Sequence, residues 1–268
     1  MASRMAKAQR AFEKKDISLA KKAHQKDLIK NQIHDSSHAN AGQYLGEFVY
    51  GAIDGTITTF AVVAGAAGAA LSPGIVIILG FANLLADGFS MAAGNFLSER
   101  TQRDFVEKER KREEWEIKNV PEGEIEEIRE IFRKKGFKDK DLERAVEIIT
   151  SNKKIWVDTM MADELGLLES QKSPWKTAAN TYFGFLIIGI IPLLAYVLSY
   201  FLPFFAQNTF KLAIVMTLVA LIVIGVVKMF VTKKDLWKSI AETVFVGGAA
   251  AVIAYYIGFF LRWLVGVY

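Results

Sequence analysis

The chain has 268 residues, 52% hydrophobic and 23% charged, with a formal net charge of +4, three histidines and no cysteine. The missing thiols exclude a disulfide framework, a Cys-ligated zinc site, an iron–sulfur cluster and thiol catalysis. An apolar excess at an ordinary charge content, with a mean hydropathy of +0.23, means that the apolar residues are gathered into blocks.

In chain order, residues 1–43 form a basic arm. Its Met1 to Asn40 part reads as Lys-rich and helical, with His24, His34 and His38 exposed to solvent. The first apolar block follows, uncharged from Gly55 to Ala86 and broken by the turn residues Leu71-Ser72-Pro73-Gly74. It reads as two spans, about Tyr44–Ala70 and Gly74–Leu97, each long enough for a bilayer core of about 30 Å. Neither has the layout of a cleavable signal peptide. Glu99 to Lys172 is polar and reads as three or four amphipathic helices, with breaks at Pro121-Glu122-Gly123 and Lys135-Gly136. Three further spans follow: Thr177–Phe201, Phe210–Val231 after a Leu202–Thr209 loop, and Thr243–Leu261.

With five spans, the arm, the middle segment and the fourth-to-fifth loop share one face. With Lys228 at the adjoining helix end, they hold 31 of the 33 lysines and arginines. Positive loops stay in the cytosol, so the N-terminus and middle segment are expected there, and Tyr268 outside or in a lumen. The basic balance is thereby explained by topology, and no nucleic-acid partner is expected. The fold class is an all-α membrane protein of five transmembrane helices with a cytosolic helical domain inserted between the second and third. Its parts are residues 1–43, 44–98, 99–172 and 173–268.

Four acids sit within or at the edges of spans: Glu47, Asp54, Asp87 and Glu242. An ionisable group at a bilayer centre costs about 2.5 to 3.5 kcal/mol on insertion scales, so it faces a pathway or a partner. Glu47, Gly51, Asp54 and Thr58 share a face of the first span, and Asn83, Asp87 and Met91 follow at intervals of four on the second. With Thr58 and Thr59, they make a stripe of oxygen and thioether donors suited to a divalent cation, the thioether favouring a transition metal. A buried structural Asp and a core Met are the alternative reading. Gly51 and Gly55 form a G-x-x-x-G pattern that lets helices approach closely.

In the middle segment, Glu109, Glu113 and Glu116 fall on one helix face, and Glu124 and Glu127 repeat the i, i+3 spacing after the break. Glutamates on facing helices hold metals in carboxylate-bridged bundles. Met160 or Met161 and Glu164 lie within a turn of each other and can complete such a cage. The commoner reading of Glu-rich helices mixed with Lys and Arg is a solvated face stabilised by i, i+4 pairs. No Glu-x-x-His motif of di-iron oxidases is present, and no prosthetic group is expected.

The stretches Asp54-Gly55-Thr56-Ile57-Thr58-Thr59-Phe60-Ala61-Val62-Val63-Ala64-Gly65, Gly80 to Asn95 and Trp156-Val157-Asp158-Thr159-Met160-Met161 closely resemble the vacuolar iron transporter family, over about Gln43 to Tyr268. The resemblance implies a homodimer, lying in membrane lipid, whose first two helices line an ion path. It implies ferrous iron moved out of the cytosol in exchange for protons, with manganese a second substrate. It makes Asp54 and Met91 path ligands, with Glu47 nearer the cytosol. It makes Glu113, Glu116, Glu124, Glu127, Met160, Met161 and Glu164 a cytosolic metal-binding site. Some eukaryotic members carry a glutamate where this chain has Asn83, and Asp87, one turn on, can supply that charge. The expected function is therefore a divalent transition-metal transporter and not an enzyme, in a prokaryotic plasma membrane or a vacuolar membrane. A membrane-anchored iron-binding or storage protein is the alternative, and a ferroxidase a third reading.

Overall fold

The structure, a computed structural model, describes residues 4–25, 44–168, 170, 172–232 and 235–266. The rest of the basic arm, with His34 and His38, and Tyr268, expected outside or in a lumen, lie outside the described residues. The described elements are all helical: α1 (Arg4–Lys14), α2 (Ile17–Ala23), α3 (Leu45–Gly68), α4 (Pro73–Asn119), α5 (Pro121–Lys134), α6 (Asp139–Thr150), α7 (Lys153–Thr159), a π-helical turn (Met160–Glu164), α8 (Pro174–Gly189), α9 (Ile191–Leu198), α10 (Pro203–Thr232) and α11 (Leu236–Val265). His24 is exposed at the end of α2, its Nδ1 2.9 Å from the Ala20 carbonyl oxygen. The chain divides into two compact units, residues 1–95 with 175–268, and residues 96–174.

Among the described residues, five helical stretches are long and apolar enough to cross a membrane: Leu45–Gly68, a part of Pro73–Asn119, Pro174–Leu198, Pro203–Met229 and Leu236–Val265. Two boundaries differ from expectation. Most of the Leu202–Thr209 loop is helical, because Pro203 occupies the start of α10, where its fixed φ suits a helix and its missing N–H is not needed. The irregularity falls instead at Asn208, with φ −130°. The third span is interrupted at Ile190, just before Pro192, whose ring and lost donor break an α-helix. The polar segment after Leu97 does not begin a new helix: α4 runs without interruption to Asn119.

In the first unit, α3 is the central helix, contacted by α9, α10 and α11. Its packing depends on glycine. A Cβ at Gly51 would overlap the Thr181 carbonyl oxygen of α8, and one at Gly184 of α8 would overlap the Phe48 carbonyl oxygen of α3. The same reciprocity joins α3 to α11, where Gly68 meets Tyr255 and Gly258 meets Gly65. In lipid, helices gain little from apolar burial against each other, so close backbone approach supplies van der Waals contact instead. Phe60, Val63, Leu84, Phe185, Leu193 and Tyr196 fill the core beside these seams.

In the second unit, Val106, Ile117, Ile128, Leu142, Val146, Trp156, Val157, Met160 and Met161 form one apolar cluster. Each helix contributes a stripe at helical spacing and leaves its charges outside. Pro121 begins α5, with the Glu124 N–H donating to the Val120 carbonyl, so Pro-Glu-Gly is the first turn of a helix and not a loop. Gly136, at φ +96°, turns the chain after α5.

Gly51→Ala is expected to destabilise the protein by about 1–3 kcal/mol through overpacking against backbone that cannot yield. Thermal unfolding in detergent should show a fall of several degrees for Gly51→Ala and no change for Gly46→Ala, where a Cβ meets nothing within 4 Å.

Candidate metal centre

The second unit gathers carboxylates where α4 and α5 meet. Glu113 and Glu116 lie one turn apart on α4, and Glu124 lies in the first turn of α5. One carboxylate oxygen from each lies within 4.8 Å of the others. Glu113 is 1% exposed and Glu124 6%. One oxygen of each, Oε2, is buried with no hydrogen-bond partner among the described residues. A desolvated carboxylate oxygen without a donor is costly, and a cation is the partner that suits it.

Burial, then repulsion from Glu164, pushes the Glu113 carboxyl up to about 7. Burial, then repulsion from Glu127, pushes Glu124 up to about 7 as well. Glu164 is raised for the same two reasons, burial first and then Glu127. Glu113, Glu116, Glu124, Glu127 and Glu164 thus lie within electrostatic reach of one another, although Glu127 and Glu164 are exposed. Five carboxylates so close make a field that attracts divalent ions and favours the protonated form of Glu113, Glu124 and Glu164.

Met160 and Met161 are buried and belong to the apolar cluster with Ile128 and Val157. They open a π-helical turn in which Leu165 N–H donates to the Met160 carbonyl at 3.1 Å. Such turns carry one residue more than an α-turn and often mark functional sites. Nothing in the sequence announces this one. Glu109 shares the α4 face by spacing but is not part of the three-carboxylate group; its oxygen accepts from Arg112 Nε at 3.0 Å. Arg112 also reaches Glu113 at 3.0 Å and Glu116 at 3.7 Å. Sequence reasoning passed over it, although its i−3, i+1 and i+4 relation to the three glutamates was visible.

In the first unit, Asp54 on α3 and Asp87 on α4 are half-buried, and their charges repel each other. No hydrogen bond or ion pair joins either carboxylate to a partner among the described residues. Met91 packs against the core cluster around Phe185, and Glu47 is half-buried in the first turn of α3. The Thr58 hydroxyl donates to the Asp54 carbonyl oxygen at 2.9 Å, so its proton is committed within the helix. The Thr59 hydroxyl and the Asn83 amide nitrogen are buried without a partner among the described residues. Glu242 differs from Asp54 and Asp87: Lys228 of α10 pairs with it at 2.8 Å.

The sequence profile of the VIT family matches residues 45–259. This chain belongs to the VIT family. It is 36% identical to a protein of Toxoplasma gondii named vacuolar iron transporter, over 97% of this chain and 89% of that protein. It is 35% identical to one of that name from Plasmodium berghei, over 95% of each. It is also 33% identical to vacuolar iron transporter 1 of Arabidopsis thaliana, over 83% and 88%. With its five apolar helices, this VIT-family chain is a multi-pass membrane protein.

Raised carboxyls fix a sign for stability. With folded values near 7 against about 4.5 unfolded, the folded state binds more protons between those limits, so stability falls as pH rises through that window. Metal-free protein held with a chelator should melt lower at pH 8 than at pH 6. Glu113→Gln with Glu124→Gln should raise the pH 8 melting point and flatten the pH dependence. An unchanged slope would contradict the assignment of the perturbed groups.

Proposed function

We propose that this chain carries ferrous iron, with manganese as a second substrate, out of the cytosol in exchange for protons, and that it works as a homodimer. The observation that carries the reading is the pair Asp54 and Asp87, two mutually repelling carboxylates on adjacent spans without a cation or donor beside them among the described residues. An anchor has no reason to bear that cost, whereas a path for a divalent ion requires it. Relatives named vacuolar iron transporters supply the cargo.

On this reading residues 99–172 face the cytosol and capture the ion, which Glu113, Glu116 and Glu124 bind first. Glu127, Glu164 and the thioethers of Met160 and Met161 complete the donor set. Oxygen with thioether donors suits a transition metal bound reversibly and offers no redox partner, in keeping with a carrier and not an enzyme. In the spans, Asp54 and Met91 ligate the passing ion, Asp87 adds charge next to Asn83, and Glu47 stands at the start of α3. Ligands must be deprotonated to bind, so an acidic far side releases the metal and loads the proton that returns. The homodimer draws support from α4, where Ala82, Ala86, Ser90 and Gly94 recur every four residues on an exposed face, a spacing that admits a second helix closely.

In proteoliposomes with an inward-acid gradient, Fe²⁺ and Mn²⁺ uptake is expected to exceed Ca²⁺ uptake and to collapse when the gradient is dissipated. Asp54→Asn should reduce flux at least about tenfold, the scale of losing one charged ligand or about 1.4 kcal/mol, while the metal bound per chain by Glu113, Glu116 and Glu124 persists. Binding by the unaltered protein without any flux would instead establish a membrane-anchored storage role.

A further inference from the structure

The acidic centre already contains a cation, and it is the chain's own. Arg112 lies on α4 among the glutamates, with its side chain 46% exposed beside the almost wholly buried Glu113. Its guanidinium touches Glu109 and Glu113, each at 3.0 Å, and approaches Glu116 at 3.7 Å. Two of these three carboxylates, Glu113 and Glu116, belong to the group that converges with Glu124. The third, Glu109, does not. Glu113 is therefore divided: Oε1 accepts from Arg112, while the buried Oε2 has no partner among the described residues.

A guanidinium cannot relieve a clash by losing its proton. A divalent ion placed in contact with Glu113 and Glu116 would stand within a few ångströms of it, and like charges at that separation repel strongly in a partly desolvated site. One of the two must leave those oxygens. Arg112 has a second anchor in Glu109, three residues back on the same helix, and can keep that contact while giving up the others.

We propose that Arg112 is a resident counter-cation which an incoming divalent ion displaces from Glu113 and Glu116 while it stays on Glu109, so that loading the centre is an exchange of cations. The inference rests on the reading of this centre as an ion site. Its consequence is reversibility: the returning guanidinium competes for the same oxygens and helps to expel the metal, as a capture site in a carrier needs. Arg112 is a positioning residue and not a ligand.

The test uses full-length protein in detergent, stripped with a chelator and titrated with Mn²⁺ alone. Phenylglyoxal labelling of Arg112, read by peptide mass spectrometry, should rise severalfold at saturating Mn²⁺ in the unaltered chain and should not respond to Mn²⁺ in Glu113→Gln/Glu116→Gln. Labelling that stays level or falls on Mn²⁺ binding overturns the exchange. Arg112→Gln should tighten Mn²⁺ binding by about fivefold, the upper range for releasing an exposed ion pair, and Arg112→Lys should restore most of the weaker binding. Unchanged or weaker binding in Arg112→Gln means the arginine only props the glutamates, which also overturns the exchange. If Glu113→Gln/Glu124→Gln leaves the number of Mn²⁺ ions per chain unaltered, the centre is not an ion site and both readings fall. If that number drops while Arg112 labelling is indifferent to Mn²⁺, the ion site stands and the exchange alone fails.

Discussion

A carboxylate withdrawn from water must be neutralised by a proton, a cation or a set of donors, and the organisation of this chain follows from which of these each acid finds. Glu242 finds Lys228 and is a settled ion pair between two spans. Glu113 finds half of what it needs in Arg112 and holds its other oxygen buried and bare. Asp54 and Asp87 find only each other's repulsion. Incomplete neutralisation is costly in a static protein, and it is what a carrier requires, because a site satisfied by its own side chains has nothing to offer a passing ion.

The scaffold around these acids is built differently in the two units. Residues 96–174 have an ordinary soluble core, in which Ile128, Val157 and Met160 are held by the release of water from apolar surface. In the other unit that force is weak between helices, and glycine takes over: Gly51 with Gly184, and Gly68 with Gly258, bring backbones into contact on two sides of α3. Asp54 belongs to that same helix. A helix locked against backbone on two sides holds its carboxylate in a fixed register, and a ligand can be placed no better than the element that carries it.

Much of this was legible in the sequence, for identifiable reasons. Charge-free runs of about 20 residues have few folded outcomes, so the five spans were plain. Their ends were less so, because proline is both a breaker and a helix starter: Pro192 interrupts its span, whereas Pro203 begins a helix where a loop was expected. Spacing on one helix paired Glu113 with Glu116 and put Asn83, Asp87 and Met91 on one face of the second span. Spacing cannot show which residues meet another helix, so Glu109 was not separated from the glutamates that converge with Glu124, and Arg112 was passed over. The convergence of Glu124 with the α4 glutamates depends on how the chain turns at Val120 and Pro121, a tertiary fact that periodicity does not contain.

The π-helical turn at Met160–Glu164 has a genealogical implication. Such a turn amounts to one surplus residue lodged in an otherwise regular coil, and each residue of an α-helix advances by about 100°. Excising a single residue between 160 and 164 would let the coil run on as a regular α-helix, with Trp156 and the residues beyond the turn still in register, and only the side-chain placement inside the turn would change. Among descendants of a common ancestor, a one-residue gap at this point would therefore leave the rest of the unit unaltered and mark lineages in which the widened turn has been lost.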